Sequence, residues 1–476
     1  MSRRWDALGI GALDRALIGG GAAALVAAWP VFVFTGAQAA YLVATLGACL
    51  AAVGLIRRRT PLAVGFLVGL LALVGSDVNG QLGKGTPPLG SLRILDLALA
   101  AAALTAAWVD RGELRRLSVR SRPGGLAILG GLAVVYVTLR WATAGHPVDS
   151  FLRTDLRLLV VAALTSFVAR RCRSGPGQAI GWSLVVVGAL AAAKAVAVHV
   201  SGLFAIGSND RVQATSTYAG DHVRTILVGG GDTLLILVPA LAILLAAQPG
   251  RVARRAFLAV AGFGCLAALG LSGTRTSLLV SFGLAVVAAG CTFASRRSAI
   301  PRRSLLTAAA IGVAALAVAT LGQAPQRLLQ KDAPHTGLDF RRDEVKTFFK
   351  LPAGDQLLGR GLASRLRTAD TQGNPVLSGW THELPFWIAL KAGVIGVLLA
   401  ALAYGLIVRR GIAALRGPGD RTVVLAGQLL ILGLVVMSMT INRLGLVEGA
   451  MLLPIAVLLA GAPPGSASAP EEKPPG

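Results

Sequence analysis

Long apolar runs follow one another from end to end of the chain, separated by short polar segments rich in arginine. Most runs are about 16 to 23 residues long, near the length at which a helix crosses the hydrocarbon layer of a bilayer, and 61–75 is shorter. The runs are 16–36, 38–56, 61–75, 91–109, 124–142, 155–170, 179–200, 225–247, 256–271, 277–294, 304–321, 384–408, 423–441 and 444–462. They predict an all-α, polytopic membrane protein with about fourteen transmembrane helices. The other spanning solution, a closed barrel, needs alternating segments of about ten residues, and the chain has none. One long polar segment, 322–383, interrupts the pattern before the twelfth run. Within it, Asp339 to Lys350 reads as a short helix, and Gly354 to Thr381 is broken by Gly and Pro.

Composition agrees. Hydrophobic residues make up 54% of the chain and charged residues 14%, with a mean hydropathy of +0.69, against about 25% charged residues in soluble domains. Cys49, Cys172, Cys265 and Cys291 are scattered and have neither a disulfide nor a metal-ligand spacing. The first apolar run lacks a cleavage site and reads as an anchor.

The net charge of +24 comes mostly from arginines in short connections, so it argues for membrane topology and not for nucleic acid. With the N-terminus cytoplasmic, the inner segments hold 26 of the 46 basic residues, and each inner loop is basic. Residues 1–462 then form one integral membrane domain, the long loop 322–383 is extracytoplasmic, and 463–476 is a disordered cytoplasmic tail.

Three sets of residues could carry chemistry. His382, one of five histidines, stands at the outer mouth of the twelfth run and could accept a proton from a hydroxyl. On an ideal helix Phe386, Ala389, Gly393 and Gly396 share its side, at about 100° per residue. The second set is the basic residues that oppose the inside-positive trend: Arg211, Arg224 and Arg275, with Arg327, Lys331, Arg341, Arg342, Lys346, Lys350, Arg360, Arg365 and Arg367 in the long loop. Converging guanidiniums would hold a pyrophosphate, although lipid headgroups or local carboxylates are the simpler partners for any one of them except Arg275, which sits in a tight turn with no carboxylate nearby in sequence. The third set is the ionisable groups inside spans, Lys194, Asp232, Lys391 and Glu448. A structural pairing, such as Lys391 with Glu448 or Lys194 with Asp232, is one account of these, and an ion path is the other. No Asp-x-Asp occurs and no two histidines have helical spacing, so no metal site and no cofactor is expected.

His382 followed by Phe386, Ala389, Gly393 and Gly396 resembles the signature of the O-antigen ligase and polymerase family. In that signature a His-Asn/Ser precedes Leu, Leu, Gly and Gly at the same spacings. Leu358-Gly359-Arg360-Gly361-Leu362 is similar to the family's Leu-Gly-x-Gly element. Arg341 and Arg342 stand where the family has a loop-helix arginine, and Arg275 resembles its Ser-Arg turn. This chain departs from the pattern at Glu383, Phe386 and Ala389.

The resemblance implies metal-independent, inverting transfer of a glycan from polyprenyl pyrophosphate to an acceptor hydroxyl. The acceptor is a glycan or glycolipid at the outer face of a bacterial cytoplasmic membrane. His382 would be the base, the arginines the pyrophosphate site, and Glu383, Gly393 and Gly396 the support. A transporter or flippase using the intramembrane charges is the competing class, and it predicts broken helices.

Overall fold

The computed structural model describes residues 11–35, 37–74, 93–111, 125–174, 177–201, 211–217, 220–226, 231–248, 251–272, 275–294, 337–369, 375–378, 381, 383–416, 421–439 and 446–460. The predicted run 304–321, His382 and the tail 463–476 lie outside them. Fifteen α-helices and two two-stranded hairpins make up the described residues, and five helices are long and apolar enough to cross a membrane. This is an all-α membrane protein.

The helices follow the apolar runs. They are α1 Ala12–Thr35, α2 Ala37–Arg58, α3 Thr60–Gly69, α4 Ile94–Val109, α5 Gly125–Ala144, α6 Ser150–Arg170 and α7 Gly177–Ser201. After these come β1 Arg211–Thr217, β2 Gly220–Ile226, α8 Gly231–Ala246, α9 Val252–Ser272 and α10 Arg275–Ala294. The long loop contributes α11 Gly337–Phe349, α12 Ala353–Leu358, β3 Leu366–Ala369 and β4 Pro375–Ser378. The chain continues as α13 Leu384–Arg416, α14 Arg421–Ser438 and α15 Val447–Ala460.

Helix α8 is buried along its whole length among α7, α9, α10 and α14. It is the centre of the core, which explains why it is apolar on every side. Large apolar side chains elsewhere, such as Leu104, Val260 and Leu398, are exposed on helix surfaces, as expected of faces that meet lipid.

Two expectations need correction here. The run 225–247 was expected to be one span, but Thr225 and Ile226 belong to β2 and the helix starts only at Gly231. Asp232 then lies in the first turn, where its side chain accepts from Thr233 N (2.9 Å) and a carboxylate suits the helix dipole. The long loop was expected to contain only short helices, and it also carries the β3–β4 hairpin.

The ion pairs constrain topology. If successive runs alternate in direction, Asp14 and Arg57 fall at one end of the bundle, and they pair at 2.7 Å. Asp110 and Arg171 fall at that same end and pair at 3.2 Å. At the other end, Asp96 pairs with Arg157 at 2.9 Å and Asp155 with Lys391 at 2.7 Å. Each pair joins groups that alternation places on the same side.

Candidate functional site

The site is built on a break in α13. Gly393 has φ +69 and ψ −175 inside what is otherwise a helix. Gly359, at the end of α12, has φ +71 and ψ 175. Both angles fall in a region that is essentially reserved for glycine. The two residues abut: a Cβ on Gly359 would stand 2.4 Å from the Gly393 nitrogen, and one on Gly393 would stand 2.6 Å from the Gly359 nitrogen.

The break frees helix carbonyls, and the loop caps them. Arg360 N donates to Leu390 O (2.9 Å) and Gly361 N to Lys391 O (2.9 Å). Irregular backbone at a membrane helix is stable only where such partners exist. So the expected continuous stripe of Phe386, Ala389, Gly393 and Gly396 is interrupted at Gly393. The helix starts at Leu384, and Glu383 O accepts from Trp387 N (3.0 Å) as its cap residue.

The end of α5 and the start of α6 clamp the same loop. Tyr136 Oη donates to Leu358 O (2.6 Å), and Arg140 donates through Nε (3.1 Å) and Nη2 (2.8 Å) to Gly359 O. Removing the phenol by Tyr136→Phe is expected to cost about 0.5–1.5 kcal/mol, readable as a lower melting temperature.

Asp155 is the hub. Its Oδ2 accepts from both Lys391 Nζ (2.7 Å) and Ala363 N (2.8 Å), and Lys391 also donates to Ser364 O (3.3 Å). Ala363, with φ +57, is the one non-glycine residue at positive φ among the described residues. Its amide is held there by Asp155, a strained position of the kind that clusters at functional sites.

The expected pairing of Lys391 with Glu448 is therefore replaced by pairing with Asp155, which projects from the first turns of α6 toward the loop. Lys194 donates to Leu73 O (2.6 Å), a carbonyl in the π-turn Leu70–Val74 that ends α3.

Further charges surround this hub. Arg365 pairs with Asp149 and lies over the Phe151 ring at 4.7 Å. Asp149 caps α6 through Phe151 N (3.0 Å) and Leu152 N (3.2 Å). Arg360 Nε is 3.5 Å from Asp355, which also faces Arg140 at 3.7 Å. His146, between α5 and α6, is half-buried. Its pKa falls below the ordinary value, first because burial disfavours the imidazolium and then because Arg360, Arg365 and Lys391 repel it.

The long loop is also fastened to the first turn of α13. Phe348, Phe349 and Phe386 meet edge to face, with centroids 5.7 to 6.4 Å apart. This brings α11, which carries Arg341 and Arg342, to the helix mouth that follows His382. Thr381 is buried and its hydroxyl donates to Glu383 O (3.0 Å).

No family model matches this chain, and no curated protein does.

Of the residues singled out from sequence, Arg360, Gly393 and Lys391 meet in one cluster. Gly396 packs within its own helix, against Ala392 and Ile388. Arg342 is exposed on α11. Arg275 opens α10, and Arg211 and Arg224 lie on the β1–β2 hairpin, in register opposite Ile226 and Gln213. The side chains of Arg211, Arg224, Arg275 and Arg341, like all of His382, lie outside the described residues.

Sequence reasoning missed Tyr136, Arg140, His146, Asp149 and Asp155, and counted Arg365 only among the basic residues of the long loop. The available signal was density: His146, Asp149, Arg153, Asp155 and Arg157 crowd into twelve residues beside an apolar run.

Proposed function

We propose that this protein transfers a glycan from polyprenyl pyrophosphate to an acceptor hydroxyl at the outer face of a bacterial cytoplasmic membrane, as an O-antigen ligase-like or polysaccharide polymerase enzyme. The chain crosses the bilayer about fourteen times, with both termini in the cytoplasm. The observation that carries the reading is the docking of the long loop on α13. Three phenylalanines join α11 to the helix mouth, and the Gly359-Arg360-Gly361 segment caps the helix break. A lid fastened in this way brings α11 to the start of α13.

In this reading the reaction is a displacement at the anomeric carbon. His382 takes the acceptor proton as the new C–O bond forms and the bond to the pyrophosphate breaks, which inverts the anomeric centre. Arg275, Arg341 and Arg342 offset the charge that builds on the leaving pyrophosphate, with Arg211, Arg224 and Arg360 as further contacts. Glu383 orients the base.

The test is purified protein in lipid with a polyprenyl-pyrophosphate glycan and a panel of glycan and glycolipid acceptors. His382→Ala is expected to lower transfer by about 10²–10⁴-fold while leaving the melting temperature unchanged. Absence of transfer to any acceptor, with unaltered cell-surface glycan in the variant, would sink the proposal.

One observation favours the transporter reading: α13 is broken, and an ionisable pair lies beside the break. Against it, the freed carbonyls are capped by backbone amides of the protein itself, as expected of a fixed scaffold.

A further inference from the structure

The end of the bundle opposite the α13 break carries charge that the transfer reading does not use. Alternating spans place the starts of α7 and α9 and the end of α4 there, together with the Asp14–Arg57 and Asp110–Arg171 pairs.

The two helix starts meet through side chains. The Arg254 guanidinium lies over the Trp182 ring, 4.2 Å from its centroid. Trp182 in turn stacks on Phe257, with centroids 6.3 Å and planes 25° apart. The ring holds the guanidinium in place, and its N–H fork remains for a phosphate. Arg251 caps the same helix, its carbonyl accepting from Arg254 N (3.1 Å) and Arg255 N (3.3 Å). Its side chain is exposed, and those of Arg254 and Arg255 are half-buried.

Acids do not balance this cluster. The sequence has no Asp or Glu from 156 to 209 or from 233 to 331. Among the described residues, the carboxylates at this end are Asp14 and Asp110, and they pair with Arg57 and Arg171.

Beside the stack the surface is apolar. Trp182, Val186 and Leu190 follow at i, i+4 and i+8 on one face of α7, and Val186 and Leu190 are exposed, as are Phe257 and Val260 on α9. A second pair marks the depth: at the end of α4, Arg111 lies over the exposed Trp108 ring at 4.7 Å. Tryptophan concentrates at the headgroup level of a bilayer.

A soluble anion would use the arginines and leave the apolar face bare. A zwitterionic lipid would cover the face and bring a positive group to the arginines. A lipid with a net negative head suits both.

We propose that Arg254, Arg251 and Trp182 form a binding site for one anionic phospholipid, its phosphate on the two guanidiniums and an acyl chain along Val186 and Leu190. Arg255 adds to the charge. The site lies at the end away from the α13 break and does not rest on the transfer reading.

The experiment is native mass spectrometry of the full-length protein, released from detergent with an equimolar mixture of dioleoyl phosphatidylglycerol and dioleoyl phosphatidylcholine. Bound phosphatidylglycerol is expected to exceed phosphatidylcholine by at least about 10-fold, since each arginine near a surface is worth about 5-fold. Arg254→Gln should lower that preference by about 5-fold, and Arg254→Lys should recover part of it. Trp182→Leu keeps every charge and should still lower it by about 2- to 5-fold. Arg409→Gln removes an exposed arginine at the same end that has no ring partner among the described residues, and should change nothing. Glycerol 3-phosphate in large excess should not displace the bound lipid.

Should Arg254→Gln fail to fold, Arg251→Gln at its exposed position decides, with the same fall expected. An equal loss in Arg409→Gln overturns the proposal in favour of diffuse surface charge, and displacement by glycerol 3-phosphate overturns it in favour of a soluble anion. A preference unmoved by both Arg254→Gln and Trp182→Leu also overturns it.

Discussion

Replacing Lys391 with methionine is expected to destabilise the protein by about 3–5 kcal/mol. Methionine fills the volume but removes the ammonium from Asp155, and both side chains are more than nine-tenths buried. What remains is a buried carboxylate that still accepts from Ala363 N. The double variant Lys391→Met with Asp155→Asn should recover most of the loss. Asparagine keeps an oxygen for the Ala363 amide and carries no charge to strand.

Unfolding in mixed detergent micelles reads both variants. If the single variant is as stable as wild type, Asp155 is not the charged hub described. The same pair separates the functional readings: a scaffold tolerates the double variant with transfer intact, whereas an ion path through Lys391 loses all activity in it.

Gly393→Ala is the second large effect. Alanine at φ +69 and ψ −175 costs about 1–3 kcal/mol in backbone strain. Its Cβ would also fall 2.0 Å from the Leu357 carbonyl oxygen, which is backbone and cannot turn aside. The expected result is release of the 353–365 segment from α13, seen as new protease cleavage there and a drop in melting temperature. Gly405→Ala, in the same helix with nothing within 4 Å of the added carbon, should be neutral or stabilising by up to about 1 kcal/mol. Equal behaviour of the two would mean that the Gly359–Gly393 contact does not hold the loop.

The helices were legible because an apolar run has a length, and length is what a bilayer demands. Ser150 to Thr154 shows the limit. Hydropathy starts this run at Asp155, whereas the helix starts at Ser150 under its Asp149 cap. The water–lipid boundary and the start of the helix are different places.

The partner of Lys391 was not legible, since no periodicity in 384–408 refers to a carboxylate near residue 155. Leu358-Gly359-Arg360-Gly361-Leu362 stood out as a motif, but its glycines carry no record of what they press against. The break at Gly393 follows from that contact and was hidden with it. His146 was hidden for a plainer reason: a lone histidine in a short turn looks like any solvated polar residue.

Asp155 and Lys391 are separated by 236 positions, and this distance orders the making of the protein. The ribosome releases α6 first, then the lid, and Lys391 last. Until Lys391 arrives, the carboxylate of Asp155 has no ammonium to meet. A chain stalled before α13 would therefore carry a lid with no seat and an acid with no base, a state that quality-control proteases can recognise. The Asp155–Lys391 salt bridge can therefore close only after the start of α13 has been made.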